Sequence, residues 1–130
     1  MIGLDTCAII DLFKGNENLA KLIKSLSEPL AVTQLSYIEL IFGINYENPK
    51  HKIEQDYYDA LFQEVAHFSL DTFSIQQASR FSWDLKKKGK TTEQFDCLLC
   101  AILLTNGVSK IITKNTKHFE NIPGIKPILY

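Results

Sequence analysis

The chain has 130 residues, the size of one ordinary domain, and a single domain over residues 1–130 is expected. Hydrophobic residues make up 45% of it and charged residues 22%, a balance that supports a buried core and excludes an intrinsically disordered chain. With 14 basic against 15 acidic residues the net charge is −1, so the molecule as a whole carries no polycationic signature of nucleic-acid binding. If three acids gather in one site, the 14 cations face only the 12 remaining acids and the rest of the surface is mildly basic.

No apolar run nears the roughly 18 residues of a membrane span. The opening Met1-Ile2-Gly3-Leu4-Asp5-Thr6-Cys7 lacks the basic flank and apolar stretch of a secretory signal. A cytoplasmic protein without membrane contact is expected, and its three cysteines, an odd number, point to reduced thiols.

In chain order, Ile2-Gly3-Leu4 ends at Asp5 and reads as a strand covered on both faces, hence central. Apolar character continues from Cys7 to Phe13, and from Asn16 the spacing of Leu19, Leu22, Ile23 and Leu26 predicts an amphipathic helix, stopped by Pro29. Leu30–Thr33 reads as a second strand. Ser36 with Glu39 three residues on has the form of a capping box and predicts a helix from Tyr37 towards Tyr46. After Asn48-Pro49, the residues Ile53, Tyr57, Ala60, Leu61 and Val65 mark a third helix.

His67–Leu70 is a weak strand, and Ile75, Ala78, Ser82 and Leu85 predict a helix whose end is signalled by Lys86-Lys87-Lys88 before Gly89. A helix from Glu93 to Thr105 stops at Asn106-Gly107, Lys110–Thr113 is a strand, and Lys126–Tyr130 is a last edge strand. Strands alternating with helices predict an α/β fold in three layers, α/β/α, around a mainly parallel sheet. Such sheets bind ligands in the crevice outside the carboxyl ends of their strands, where Asp5 and Asn115 fall.

Three acids stand out. Asp5 ends the first strand. Glu39 lies inside Tyr37-Ile38-Glu39-Leu40-Ile41-Phe42, where it is either the capping partner of Ser36 or a functional acid. Asp96 shares a helix face with Leu99, Cys100 and Leu103, so it is expected to be partly buried. A single buried acid is ordinarily paired with Lys or Arg. Three from separate elements that can face one crevice repel one another, and a hard divalent cation, Mg²⁺ or Mn²⁺, is the usual resolution. Such an ion activates water and neutralises charge on a phosphodiester.

The segments LDTCAIIDLFKG (4–15), SYIELIFGI (36–44) and FDCLLCAILLTNGVSKIITKNTKHFENIPG (95–124) resemble the PIN-domain nucleases, most closely toxins of the VapC type, in the same order over nearly the whole chain. The resemblance implies that Asp5, Glu39 and Asp96 bind Mg²⁺ or Mn²⁺ and cut single-stranded RNA, leaving a 5′-phosphate and a 3′-hydroxyl. It places Asn115, in Thr113-Lys114-Asn115, at a fourth catalytic position. Some members have aspartate there, and a neutral amide removes a charge from any second metal position. It further implies a homodimer, and a cognate antitoxin that delivers a basic side chain to the acidic cluster.

Around these residues, Thr6 and Thr113 resemble hydroxyl residues that line such sites, their plainer role being hydrogen bonding at strand ends. Lys114, Lys117 and His118 are expected to touch RNA. Glu93 is expected to be exposed in a first helical turn. Cys97-x-x-Cys100 lacks a second ligand pair and reads as packing rather than as zinc or redox chemistry. The Lys86–Lys90 cluster reads as a solvated helix end, and Tyr46, Tyr57, Tyr58 and Phe62 either as exposed aromatics that receive a partner helix or, Tyr57 and Phe62 above all, as residues packed within the domain or against a second copy. The alternative is a PIN-like fold kept as a binding or scaffold module, which metal-stimulated RNA cleavage separates from the nuclease. A receiver-type phosphoacceptor domain fits poorly, because only one acid follows the first strand.

Overall fold

Strands β1 (Ile2–Leu4), β2 (Leu30–Thr33), β3 (Ala66–Phe68), β4 (Lys110–Ile112) and β5 (Lys126–Ile128) form one sheet in the order β3-β2-β1-β4-β5, with every pair parallel, in a computed structural model that describes residues 1–130. Six helices cover it: α1 (Thr6–Phe13), α2 (Glu17–Ser25), α3 (Gln34–Phe42), α4 (Pro49–Glu64), α5 (Thr72–Lys87) and α6 (Gln94–Thr105). A single 3₁₀ turn, Thr116–His118, follows β4. No helix is long and apolar enough to cross a membrane.

Alternation along each strand sorts the core into two halves. Ile2, Leu4, Val32 and Ile112 point to one face, where they pack with Ala8 and Ile9 of α1, Leu19 of α2, Leu40 of α3 and Tyr58 and Phe62 of α4. Ala31 and Ile111 point to the other face, against Ala78 and Leu85 of α5 and the Cys97–Leu103 stretch of α6. This is the expected three-layer α/β/α arrangement. Both faces of β1 are buried throughout, as a central parallel strand requires. Gly3 sits where α6 crosses the sheet: a Cβ there would stand 2.6 Å from the Leu103 Cδ1 atom. Its missing side chain lets α6, and Asp96 with it, come close to the end of β1.

The chain leaves β1 towards β2 and β3 on one side and returns to β4 and β5 on the other. The order therefore reverses between β1 and β4, and the crevice at their carboxyl ends is the natural ligand site of such a sheet. Asp5 is the first residue beyond β1, and Thr113 the first beyond β4.

Several local expectations are corrected. The segment after Asp5 is a helix of its own, α1, and Asp5 is its N-cap, accepting from the Thr6 amide. β2 runs straight into α3, so the cap is Thr33, whose hydroxyl accepts from the Ser36 amide at 3.2 Å. The Ser36–Glu39 capping box does not form, and Glu39 is left free of a capping role. A capping box does occur at Asp71 and Ser74, at the start of α5. α3 ends at Phe42 rather than near Tyr46, with Gly43 as its C-cap. In α4 the residues that face the sheet are Tyr58 and Phe62, which are buried, while Ile53 and Tyr57 are exposed. Tyr58 and Phe62 are therefore core residues and not part of a partner surface.

Candidate functional site

Asp5 is held before any ligand arrives. One carboxylate oxygen accepts the Thr6 amide at 2.8 Å, as an N-cap does, and the other accepts the Thr113 hydroxyl at 2.8 Å and the Cys7 thiol at 3.2 Å. Thr113 in turn accepts the backbone amide of Asn115 at 3.0 Å. Thr113 is fully buried and Asp5 is 8% exposed, so the end of β4 and the start of α1 are joined by a hydrogen bond shielded from water.

Glu39 reaches the same crevice from α3. Its carboxylate accepts the Thr6 hydroxyl at 2.9 Å, and that hydroxyl lies 3.0 Å from the hydroxyl of buried Ser36. Thr6 thus links two of the acids and is more than a strand-end residue. Glu39 is open to solvent on one side, and the apolar residues flanking it, Ile38 and Phe42, are exposed too, so this run is a surface patch rather than core. The protein around it still raises its carboxyl above the usual range, first by burial, with the charge of Asp5 adding and the Thr6 hydrogen bond opposing.

Asp96 enters from the first turn of α6, above buried Leu99, Cys100 and Leu103. Burial first, and then repulsion from Asp5, push its carboxyl up to about 6, while His118 draws it back down. The His118 ring nitrogen Nδ1 lies 3.1 Å from an Asp96 carboxylate oxygen. No lysine or arginine pairs with Asp5, Glu39 or Asp96: the ion pairs of the chain lie elsewhere, apart from the His118 contact. Buried Asp5 thus has no basic partner of its own, half-buried Asp96 has only the His118 ring, and Glu39 is exposed.

The other expected residues divide. Asn115 is exposed beside the crevice, its side-chain amide 4.0 Å from the Cys7 sulfur. Lys114 is engaged with Asp11 at 3.0 Å, whereas Lys117 lines an open depression beside His118. Glu93 is exposed, as expected, and its charge adds to the rise at Asp96. Cys97 and Cys100 are fully buried among apolar residues, and burial keeps both thiols protonated, which agrees with a packing role.

Cys7, Asp11 and Tyr130 also belong to this neighbourhood. The Tyr130 hydroxyl donates to Asp11 at 2.7 Å and lies 3.9 Å from the Cys7 sulfur. Cys7 and Asp11 are four residues apart on α1, a spacing that marks one helix face in the sequence; nothing in the sequence ties either to Tyr130.

No group of three His, Cys, Asp or Glu side chains is gathered into a ready metal cage, because each acid is turned to a hydroxyl or imidazole neighbour. The chemistry of the donor set nonetheless fits a hard divalent cation. The three carboxylates are oxygen donors, they lack lysine or arginine counter-charges, and two of them are raised partly by repulsion from Asp5.

The chain resembles solved structures at low identity. VapBC2 from Rickettsia felis, solved with a promoter DNA fragment, superposes with a TM-score of 0.83 at 18% identity, covering 100% of this chain and 99% of that one. VapBC-1 from nontypeable Haemophilus influenzae gives 0.79 at 23%, over 98% and 97%. FitAcB from Neisseria gonorrhoeae gives 0.83 at 19%, over 98% and 96%. These likenesses establish the fold. No curated protein matches the sequence. The family model described as PIN domain matches residues 2–125, and on that match, spanning all three acids and the strand ends that carry them, the chain belongs to the PIN domain family.

Proposed function

We propose that this PIN domain, a member of a family of nucleases, is a Mg²⁺- or Mn²⁺-dependent endoribonuclease of single-stranded RNA and the VapC-type toxin of a toxin–antitoxin pair. One observation supports the nuclease reading: the charge of Asp5, just beyond β1, acts on both Glu39 of α3 and Asp96 of α6, and none of the three forms an ion pair with a lysine or arginine. Asp5, Glu39 and Asp96 would hold the cation, with Asn115 assisting, and the bound ion would supply charge neutralisation and water activation at the phosphodiester.

The chain's own groups prepare that crevice. Thr113, Cys7 and the Thr6 amide fix the Asp5 carboxylate, and the Thr6 hydroxyl orients Glu39. His118 stands against Asp96, and Lys117 lines the open surface beside it, where a phosphate chain can approach.

An antitoxin partner is supported by a second surface. Tyr37, Ile38, Ile41, Phe42, Ile44 and Tyr46 line an open groove of about 450 Å³ made only of hydrophobic residues, on the helix that also carries Glu39. Of the structural neighbours, one from Klebsiella pneumoniae is described as a toxin–antitoxin complex and VapBC-5 from Mycobacterium tuberculosis as a member of the VapBC family of toxin–antitoxin systems. A partner seated on this groove would reach the acids with a basic side chain. We further propose a homodimer acting in the cytoplasm.

Labelled single-stranded RNA incubated with the pure chain and Mn²⁺ should be cut internally, with cleavage lost in EDTA and in Asp96→Asn. Binding without cleavage under any divalent metal would instead support a scaffold module, the reading that neutral Asn115 favours.

A further inference from the structure

Two open depressions lie end to end along α6. The first, of about 650 Å³, has Lys117, His118 and the acidic Glu93 on its wall, and the second, of about 380 Å³, passes Trp83 and Lys86 of α5 and runs on over Ala78 and Leu98. Gln94 and Phe95 border both, so the two depressions adjoin at these side chains and make up a trough. Its near end is at the acidic site, because the same His118 contacts Asp96 at 3.1 Å.

The lining has a particular chemistry. Phe95 and Trp83 leave 60% and 61% of their surface in water, and the Lys86 ammonium lies 4.8 Å from the centre of the Trp83 ring. Lys117 lines the first depression and Lys86 the second, and α5 ends just beyond Lys86 at Lys87, with Lys88 as its C-cap. The first depression is polar apart from Phe95, unlike the wholly hydrophobic groove on α3, so it does not suit the apolar face of a partner helix. Flat aromatic faces spaced between cations are what a single nucleic-acid strand needs, with its bases stacking on the rings and its phosphates meeting the ammonium groups.

We propose that this trough is the track of the single-stranded RNA substrate, in which Phe95 and Trp83 stack nucleobases while Lys117 and Lys86 contact phosphates on either side. The proposal rests on the nuclease reading above and adds the path of the strand beyond the scissile bond. It also gives Lys86 a role beyond that of a solvated helix end.

The chain's only tryptophan is Trp83, so its emission reports directly on the second depression. Titration of the full chain in EDTA with a short mixed-sequence single-stranded RNA should quench Trp83 fluorescence in a saturable way. Phe95→Ala should weaken binding about tenfold, Phe95→Tyr should restore it, and Lys86→Ala and Lys117→Ala should each flatten the salt dependence of binding. Because Phe95 is exposed, the melting temperature of Phe95→Ala should match that of the parent. Unchanged affinity in Phe95→Ala with unresponsive Trp83 emission, in a chain that still cuts RNA with Mn²⁺, overturns the track and leaves the nuclease reading standing. A chain that neither binds nor cuts RNA overturns both. Trough substitutions that alter the sedimenting mass but not RNA affinity identify a self-association surface and also overturn the track.

Discussion

The Thr113 hydroxyl donates to the Asp5 carboxylate at 2.8 Å, tying the end of β4 to the start of α1 across 108 positions of sequence. This bond lies at the reversal point of the strand order, so it is both a tie within the fold and a constraint on the site. Thr113→Val keeps the shape and removes the donor, leaving a buried carboxylate oxygen with only the weaker Cys7 thiol and depriving the Asn115 amide of its acceptor. The variant should lose about 1–3 kcal/mol in urea unfolding and bind Mn²⁺ more weakly, whereas Thr113→Ser should stay near the parent. Equal unfolding midpoints for Thr113→Val and the parent would show that the bond contributes nothing.

Asp96 gives a pH test. Its carboxyl is raised from 3.8 to about 6, so in the folded state the protonated form is the favoured one. That contribution to stability is complete below pH 3.8 and is lost as pH rises through about 6. In EDTA, the parent should therefore lose on the order of 2 kcal/mol relative to Asp96→Asn on going from about pH 4 to pH 7. At neutral pH, Mg²⁺ should restore the parent and leave the variant unmoved. Parallel stability curves for the two proteins would remove the electrostatic argument for the site.

The parts of the fold that sequence reading reached are those governed by short-range pattern. Ile2–Leu4 ending at Asp5, the apolar face around Asp96, and the Lys110–Ile112 strand before Asn115 each state their burial within a few residues. The start of α3 was ambiguous because Thr33 and Ser36 are both capping residues, and only the direct passage from β2 into the helix selects Thr33. On α4 two apolar stripes compete, one through Ile53 and Tyr57 and one through Tyr58 and Phe62, and packing against the sheet decides between them. The contacts of Tyr130 with Asp11 and Cys7 span most of the chain and have no local signature.

Gly3 links packing to the site. In Gly3→Ala the new Cβ falls 2.6 Å from a Leu103 methyl, and Leu103 is fully buried, with little room to retreat. Relief of the clash by an outward shift of α6 carries Asp96 away from Asp5. A stability loss of about 1–3 kcal/mol is expected, together with reduced Mn²⁺ affinity by calorimetry. Loss of stability at full metal affinity would mean that α6 absorbs the clash without moving its first turn.

Asn115 is the neutral member of the site. Asn115→Asp adds an anionic oxygen beside the Cys7–Asp5 pair, which should raise Mn²⁺ affinity by about tenfold and make the metal-free protein less stable through added repulsion. Calorimetry showing the same affinity for Mg²⁺ and Mn²⁺ as in the parent would place residue 115 outside the coordination sphere.

The groove on α3 predicts how the protein is controlled. Phe42 and Tyr46 leave 87% and 73% of their surface exposed, and Ile38, next to Glu39 in the chain, is 41% exposed. Covering such a surface is favourable for an apolar helix, and Glu39 on the same helix as the groove is expected to bring a partner's arginine or lysine to the carboxylates. Phe42→Ser should therefore weaken a small inhibitory partner by about tenfold or more while leaving cleavage of RNA by the free chain intact, since the Phe42 ring is 87% exposed to water. The partner should also lower the apparent affinity for Mn²⁺, because its basic side chain and the cation compete for the same oxygens. Expression of the chain alone should slow growth of its host, and co-expression with the partner should relieve it in the parent but not in Phe42→Ser. If expression of the chain leaves growth unchanged and no small partner is recovered with it, the toxin reading fails and an unregulated nuclease remains.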